Sequence, residues 1–430
     1  MFWILALFNA AKTIALDLYL ALLGNNRLPP GRVVPFERSM LVDQKFLLEQ
    51  SRIYGPIFKT MWSGHLVVCI ASNELGRKLL HQHETSLKSI SVDITKFFPQ
   101  GIIRNMQGVA HAQCRHQLTR VLKKEILKAA EQKLRNSAAR HFQAYASLCS
   151  NRSPTGEEQR ELLLNIALDW LLILFFGIDA ADERFEELRV LYKKLGPEGI
   201  TWNIASEHIK AFEAIQSVYA KLPLIKNSYL GEAKTLNFTD MSAIGNLLYM
   251  VEMGRHDITG LLHWLLKYLG DNQHSIQNSA RSFSNTSPQK TQAFIKETLR
   301  LNQVAAILRK STQSFEFEGF HVPSDSFLRI CLWEAHKDPN HFEKPFEFTL
   351  SRFENNQTDV EKFAPFGMDR HRCLGDDIVI RLAELFLEEL TSKFEIKTIA
   401  DGHPVLQFTV WEPSPNFVMH FSERFRSFAP

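Results

Sequence analysis

The sequence predicts a single domain that is mainly α-helical and carries small β-sheets. Helical patterns cover residues 1–24 and 376–386, and the second begins with acidic residues that suit a helix start. Strand patterns flank the turn Ser63–Gly64, and a further strand-like stretch with its own turn covers 315–323. The 430 residues would allow two or three domains by length, but no Pro-, Gly- or Ser-rich linker divides them. One unit is therefore expected.

Residues 1–28 are predicted to form an N-terminal helix that ends where Pro29 and Pro30 break the pattern. The segment is long enough to span a membrane, but its polar residues fall on one side of a helical wheel. These polar residues are Asn9, Lys12, Thr13 and Asp17. The pattern is closer to a peripheral or monotopic helix on the cytoplasmic side of a membrane than to a clean span. A helix folded against the core of a cytoplasmic protein stays open as the alternative.

Charge and composition exclude several classes of function. The net charge is +3 and no basic cluster with interleaved aromatic residues occurs, so nucleic acid is not an expected partner. No G-x-G-x-x-G pattern or P-loop is present, so a nicotinamide or flavin site is not indicated within the chain. Some of the 32 phenylalanines should line an apolar cavity.

One cysteine differs from the rest by its surroundings. The chain has five cysteines at scattered spacings, with no C-x-x-C pair, which argues against a disulfide framework or a cysteine-rich zinc site. Cys373 lies between a Phe-Gly turn, a basic cluster and Gly375. A lone thiolate in such a loop is a nucleophile or an axial haem ligand. The other four are predicted to be buried as small hydrophobes: Cys69, Cys114, Cys149 and Cys331.

The residues around Cys373 suit a flat anionic ligand. Gly367 and Gly375 can bring the backbone close to such a ligand because they lack side chains. Three potential cations precede the sulfur: Arg370, His371 and Arg372. The helix that begins at Asp376 would place its positive end just after the sulfur. Loop N–H groups and this helix end are expected to favour the anionic form of Cys373.

This segment resembles the haem-binding loop of the cytochromes P-450, whose usual form is F-G-x-G-x-[RH]-x-C-x-G. The chain matches the pattern at Phe366, Gly367, His371, Cys373 and Gly375. It departs at Asp369, where a second glycine is usual, but aspartate tolerates left-handed backbone better than most residues. The resemblance implies that these five residues bind haem b and that Cys373 is the ligand of its iron.

Motifs elsewhere resemble the same family from about residue 30 to the C-terminus. Glu297 and Arg300 match the E-x-x-R helix motif and can pair on one helix face. Arg352 is expected to complete a buried network with them, in a structural role. The resemblance further implies that haem propionates contact three residues: His111 and Arg115 of an H-x-x-x-R helix, and Arg309. It assigns residues 29–430 to one haem domain with the cytochrome P-450 fold.

The helix expected above the haem departs from the family pattern, [AG]-G-x-[DE]-T-[TS], in which an acid and an alcohol guide protons during oxygen activation. Aligned on Gly254, His256 takes the place of the acid and Asp257 that of the alcohol. A shift by one residue makes Asp257 the acid and places Ile258 at the alcohol, with Thr259 next. Neither alignment restores the pair. His256, Asp257 and Thr259 are nevertheless the candidate catalytic residues, since His and Asp can relay protons.

The resemblance implies a haem-thiolate monooxygenase that inserts one oxygen atom of O2 into a small apolar substrate, such as a terpenoid, a lipid or another secondary metabolite. Electrons would come from a ferredoxin or a flavoprotein reductase, with NADPH as their indirect source. The altered helix leaves open a haem-thiolate enzyme that does not use oxygen: a dehydratase, an isomerase or a group-transfer enzyme. A haem-binding sensor or a catalytically silent protein is the third alternative. Residues 91–104 and 195–236, where specificity is expected to arise, carry no recognisable code.

Overall fold

The computed structural model describes residues 2–24, 27–62, 64–90, 101–195, 206–238, 241–272, 283, 287–302, 306–354, 361–407 and 410–424. Ser63 of the predicted turn lies outside the described residues. So do 91–100 and 196–205, which belong to the two segments expected to shape specificity.

These residues form a mainly helical domain with small sheets, which confirms the predicted fold class. The helices are α1 (Phe2–Leu22), α2 (Ser39–Val42), α3 (Phe46–Tyr54), α4 (Asn73–Gln82), α5 (Gly108–Val121), α6 (Lys124–Asn151), α7 (Gly156–Phe176), α8 (Glu183–Leu195), α9 (Ser206–Lys221), α10 (Tyr229–Thr235), α11 (Met241–Asp271), α12 (Pro288–Leu301), α13 (Leu332–Ala335), α14 (Ser351–Glu354) and α15 (Asp376–Lys393). The strands are β1 (Ile57–Trp62), β2 (His65–Ile70), β3 (Leu87–Ser89), β4 (Ile307–Ser311), β5 (Phe315–Phe317), β6 (Phe320–Val322), β7 (Phe327–Ile330), β8 (Phe394–Ala400), β9 (Val405–Gln407), β10 (Val410–Glu412) and β11 (Val418–Glu423).

Helix α7 lies at the centre of the helical core. Its side chains from Ile166 to Phe176 are all buried, as in a helix that is apolar on every side. A capping box at Thr155 and Glu158 begins the helix, and Gly177, with φ +78°, ends it in the left-handed region. Helices α6 and α11 pack against α7. The core therefore holds α11, the helix expected above the haem, in a fixed position.

The largest sheet joins the two halves of the chain. Its strand order is β1-β2-β7-β4-β3, with β2 and β7 parallel and the other neighbours antiparallel. The predicted strands on either side of Gly64 are β1 and β2, and the predicted stretch at 315–323 is the β5–β6 hairpin. In the β3–β4 pair, Ser89 lies opposite Arg309. The sheet thereby carries Arg309 to the side of the molecule where the haem loop lies.

Helix α1 packs on this sheet through small and polar residues. Asn9 Nδ2 donates to the Gly64 carbonyl at 2.9 Å, and Lys59 Nζ donates to Asp17 Oδ2 at 2.9 Å. Ala6 and Ala10 are buried beside them. The opposite face exposes large apolar residues: Trp3, Ile4, Leu5, Leu7, Phe8, Ile14, Leu18, Tyr19 and Leu22. By length and composition, residues 3–22 form one helix that is long and apolar enough to cross a membrane.

The predicted network of Glu297, Arg300 and Arg352 is formed. Arg300 donates from Nε and Nη2 to the Glu297 carboxylate at 2.7 and 2.8 Å, and both side chains are fully buried. Arg352 Nε donates to the same carboxylate at 3.3 Å. Arg300 Nη1 also donates to the carbonyls of His336 and Pro345. The network therefore fixes helix α12 to the segment that leads to Cys373.

Arg300→Met should destabilise the protein by about 3–5 kcal/mol, because it leaves the Glu297 carboxylate buried without its main partner. The double variant Glu297→Met/Arg300→Met should recover part of this loss, since apolar side chains replace the whole pair. Lys193→Gln is the control. Lys193 and Glu161 form a solvent-exposed ion pair at 2.8 Å, and such pairs contribute about 0–1 kcal/mol to the free energy of unfolding. Urea denaturation followed by circular dichroism measures all three. An Arg300→Met protein as stable as the wild type would contradict the structural role.

Candidate functional site

Cys373 lies in a tight loop that follows a 3₁₀ turn at Asp369–His371 and precedes helix α15. Its backbone N–H donates to the Phe366 carbonyl at 2.9 Å, which closes the loop. Gly367 and Asp369 have φ values of +78° and +57°, both in the left-handed region. Asp369 thus adopts the backbone conformation that aspartate was expected to tolerate here in place of a glycine.

The protein by itself does not stabilise the thiolate of Cys373. Burial raises the pKa of the thiol to about 11, although the Gly375 N–H, 3.3 Å from the sulfur, and the nearby Arg115 act in the opposite direction. The loop N–H thus favours the anion, as expected, but it does not decide the outcome, because the lost hydration costs more than one N–H bond returns. A metal ion at the sulfur would supply the missing positive charge, since a coordinating thiol is deprotonated outright.

Four basic side chains meet beside the loop: His111, Arg115, Arg309 and His371. The rings of His111 and His371 lie 4.1 Å apart, and Arg115 Nη1 donates to the Arg372 carbonyl at 2.8 Å. Burial, and then repulsion by Arg309, lowers the pKa of His371 to about 4. Burial likewise lowers the pKa of Arg309 to about 10. None of the four forms an ion pair with a carboxylate among the residues that the structure describes.

Two of the three predicted cations before the sulfur point away from this group. Arg370 Nη1 lies 2.9 Å from the Glu84 carboxylate, and Arg372 Nε lies 2.9 Å from that of Asp376. Both arginines are exposed. Of the three, only His371 joins the four basic side chains.

The arrangement fits a haem, a flat group with carboxylates on one edge. A Cβ atom built on Gly367 or Gly375 would meet nothing closer than 3.9 Å, so the absence of side chains leaves space beside the sulfur. The sulfur offers an axial ligand, and the four basic side chains offer donors for propionates. Arg115 and Arg309 carry positive charge that pairs with no carboxylate among the described residues, so an anion is favourable there.

Helix α11 packs against helices α5 and α15, which flank this loop. Cys373 and Asp257 both have exposed surface, yet protein atoms surround them closely enough to disfavour their charged forms. Burial raises the pKa of Asp257, while Arg104 and His256 oppose that change. Repulsion from Asp257 also contributes to the raised pKa of Cys373, so the two groups lie within electrostatic reach of each other. Asp257 is therefore the predicted catalytic residue that lies within electrostatic reach of the sulfur.

The other two predicted catalytic residues lie on the more buried side of α11. His256 Nε2 lies 3.3 Å from Glu252 Oε1, and Arg255 Nη2 donates to the same oxygen at 2.9 Å. The hydroxyl of Thr259 is buried and donates to the Arg255 carbonyl at 2.6 Å, one helical turn back. The structure thus brings His256 into a buried charged group and keeps Thr259 within the helix. A catalytic role of either stays a prediction.

Sequence reasoning missed Glu252, Arg255 and Arg104. Glu252 is 3% exposed and Arg255 is 4% exposed, so the pair places two charges inside the core. Arg255 and His256 follow Glu252 by three and four residues, a spacing that indicates side-chain pairing on one helix face. The same spacing occurs on many solvated helices, so it did not single out a buried pair. Arg104 lies in an irregular segment seven residues before His111, where nothing in the sequence distinguished it.

Comparisons with known proteins agree with this geometry. The family model of cytochrome P450 matches residues 289–421, which include Glu297, Arg300 and Cys373. Abscisic acid 8'-hydroxylase 1 of Oryza sativa subsp. japonica is 24% identical over 411 residues, 86% of this chain and 85% of that protein. Protopine 6-monooxygenase of Eschscholzia californica is 23% identical over 223 residues, 47% and 43% of the two chains. The structure of retinoic acid-bound cyanobacterial CYP120A1 covers 92% of this chain and 99% of its own, with a TM-score of 0.72 and 19% identity.

The fold and the comparisons together define a haem-binding oxidoreductase. The match to the family model over residues 289–421, the similar proteins and the fold support a cytochrome P450 of unspecified subfamily. Haem is therefore its cofactor, and haem-thiolate hydroxylation is its general activity. The family also implies a small-molecule substrate and a redox partner that delivers electrons.

Proposed function

We propose that this protein is a monooxygenase in which Cys373 ligates the haem iron and Asp257 supplies protons for oxygen activation. One oxygen atom of O2 enters a C–H or C=C bond of a small, largely apolar substrate, and the other leaves as water with two protons and two electrons. The electrons come from NADPH through a ferredoxin or a flavoprotein reductase. The electrostatic influence of Asp257 on Cys373 carries the proposal, because it indicates a titratable group close to the proposed axial ligand.

The residues of the loop hold and orient the cofactor. Thiolate-ligated haem supplies the chemistry, since electron density from sulfur favours cleavage of the O–O bond. Phe366, Gly367 and Gly375 shape the loop around the sulfur of Cys373. The four basic side chains, His111, Arg115, Arg309 and His371, bind the propionates. Abscisic acid and retinoic acid, named with two of the similar proteins, support a small organic molecule as the substrate.

Asp257 is the proton donor on the oxygen side in this proposal. Its raised pKa keeps a carboxyl proton available closer to neutral pH than that of an ordinary aspartate. Glu252 holds His256, which lies within electrostatic reach of Asp257, and we assign to this imidazole the return of a proton to Asp257. The two residues thereby replace the acid and the alcohol that other members of the family carry on this helix.

Cys373→Ala should abolish the thiolate-type Soret band of the reduced, carbon-monoxide-bound protein, because alanine offers no axial ligand. The wild type should show that band and, with NADPH and a reductase system, should incorporate label from ¹⁸O2 into an apolar substrate. Absorption spectroscopy and mass spectrometry of the product are the measurements. Cys149→Ala, which removes a buried cysteine of α6 whose sulfur accepts from the Phe421 N–H, is the control and should keep the band. Wild-type protein that takes up no haem would refute the proposal.

Product that forms without label would favour the dehydratase, isomerase or group-transfer alternative. Binding of apolar compounds without any turnover would favour a sensor or a silent protein. The comparisons support neither alternative.

Asp257→Asn should uncouple NADPH consumption from product formation, because an amide of the same shape cannot donate the proton. The product formed per NADPH consumed should fall about 10²-fold, with the missing electrons appearing in hydrogen peroxide. Substrate affinity should change little. Asp271→Asn is the matched control, since Asp271 lies at the end of the same helix in an exposed pair with Lys267. An Asp257→Asn enzyme that stays fully coupled would exclude the donor role.

The exposed apolar face of α1 supports a membrane surface as a further partner. Ile4 and Phe8 are 74% and 65% exposed on that face. If the face enters a bilayer surface, Ile4→Asn combined with Phe8→Asn should lower vesicle binding at least about tenfold. Flotation with phosphatidylcholine vesicles measures it, and Leu224→Asn, an exposed leucine elsewhere, is the control. Equal binding of all three proteins would favour a helix that is only folded against the core.

A further inference from the structure

A second cavity lies between the start of helix α7, helix α11 and the segment around β10 and β11. Its volume is about 770 Å³, and its wall is mostly apolar. Apolar lining comes from Ala400, Pro413, Pro415 and Val418. Among the described residues that line it, none belongs to the Cys373 loop or to the four basic side chains beside that loop. The cavity is therefore separate from the proposed haem site.

His263 of α11 presents a buried donor at this cavity. Its side chain lines the cavity and is 2% exposed. The Gln159 amide is fixed by the backbone of β11, because its Oε1 accepts from the Met419 N–H at 2.6 Å and its Nε2 donates to the Phe417 carbonyl at 3.1 Å. The same Nε2 lies 3.3 Å from His263 Nε2, so this ring nitrogen accepts and the proton of the neutral imidazole is on Nδ1. In the described part of the chain, Nδ1 has no hydrogen-bond partner.

Glu412 lies opposite this donor, but too far away for a direct hydrogen bond. Its Oε2 is 4.0 Å from His263 Nδ1, and Arg160 Nε donates to the same oxygen at 3.1 Å. Although burial opposes the change, His263 and Arg160 lower the pKa of Glu412 to about 2, so the carboxylate is ionised. Burial lowers the pKa of His263, so the imidazole is neutral. A buried donor and a buried acceptor thus flank a gap that one oxygen atom can bridge.

A neutral hydroxyl is the group that fits both atoms. It can accept from the imidazole N–H and donate to the carboxylate at the same time, whereas an ether can only accept and an ammonium group can only donate. An anion is disfavoured, because the described lining carries two carboxylates, those of Glu157 and Glu412, against the one guanidinium of Arg160. A cation is disfavoured as well, since it would meet the His263 N–H and since Arg160 already pairs with Glu412.

We infer that this cavity is a binding site for a neutral alcohol. The hydroxyl bridges His263 Nδ1 and Glu412 Oε2, and the apolar body fills the space beside Pro413 and Val418. Hydrogen bonding to an ionised carboxylate makes the hydroxyl the anchor, while the apolar wall contributes through burial. The inference goes beyond the proposed monooxygenase activity and does not depend on it.

The experiment compares three compounds with one carbon frame: 4-tert-butylcyclohexanol, its methyl ether and 4-tert-butylcyclohexylamine. Isothermal titration calorimetry on the haem-loaded protein gives each Kd. Saturating 4-phenylimidazole, which ligates haem iron, is present throughout to block the space over the haem. The wild type should bind the alcohol about 10–100-fold more tightly than the ether, because only the alcohol donates to the carboxylate. It should also bind the alcohol more tightly than the amine.

Two variants locate the binding. Ala400→Trp places a large ring at an exposed part of the lining, leaves the polar pair intact, and should weaken the alcohol at least about tenfold by filling the space. Ala129→Trp is the matched control, because it alters an exposed alanine of α6, a helix that supplies no described lining residue, and it should change no affinity. His263→Phe keeps a ring but removes the donor, so the alcohol should bind about as weakly as the ether does.

Three results would overturn the inference. The first is a wild type that binds the alcohol no better than the ether or does not bind it at all. The second is alcohol binding that Ala400→Trp leaves unchanged, which decides the question even if His263→Phe does not fold. The third is tighter binding of the amine, which would show a cation site.

The carbon-monoxide spectrum of the same samples reports separately on the haem site. Its failure would refute the monooxygenase proposal and leave the alcohol site standing.

Discussion

The ion pair between Glu297 and Arg300 is the interaction on which the position of the haem loop depends. Both charges are fully buried, so each needs the other, and their remaining hydrogen-bonding capacity goes to the chain that leads to Cys373. The Glu297 carboxylate also accepts from the backbone N–H of Thr349 at 3.0 Å. One helix thereby positions an irregular segment that has few ladder hydrogen bonds of its own. A loop that must place one sulfur atom accurately gains from such a rigid support.

The residues beside the Cys373 loop carry charges and donors that a bound haem would balance. The basic side chains beside the loop repel one another, and burial disfavours both their charged forms and the thiolate of Cys373. A haem brings an iron cation and two carboxylates, which are the charges this region needs. The same residues would therefore gain stability from the group that they bind, since binding to the folded state alone favours folding.

Helix α11 is held in position by the core, although its side chains differ from the usual acid and alcohol of this helix. It is held by α7 and packs against α5 and α15, the helices that flank the loop. Its charged residues are divided between two faces, with Glu252 and Arg255 inside and Asp257 exposed. Glu252 of the inner pair also holds His256, which lies within electrostatic reach of Asp257. Changing the side chains on such a helix alters proton delivery without disturbing the cofactor, because the cofactor is held from the other side.

The sequence by itself determined the features that depend on local geometry. The E-x-x-R spacing places Glu297 and Arg300 on one helix face. Aspartate tolerates the left-handed backbone conformation that Asp369 adopts. The strands on either side of Gly64 follow from the alternating pattern and the turn between them. Only the tertiary structure decided which charges of distant segments meet. The raised pKa of Cys373, the grouping of Glu252 with His256 and the place of Arg104 depend on desolvation and on contacts between distant segments. Such contacts leave no periodic pattern along the chain, because they arise only when the packed core brings separate elements together.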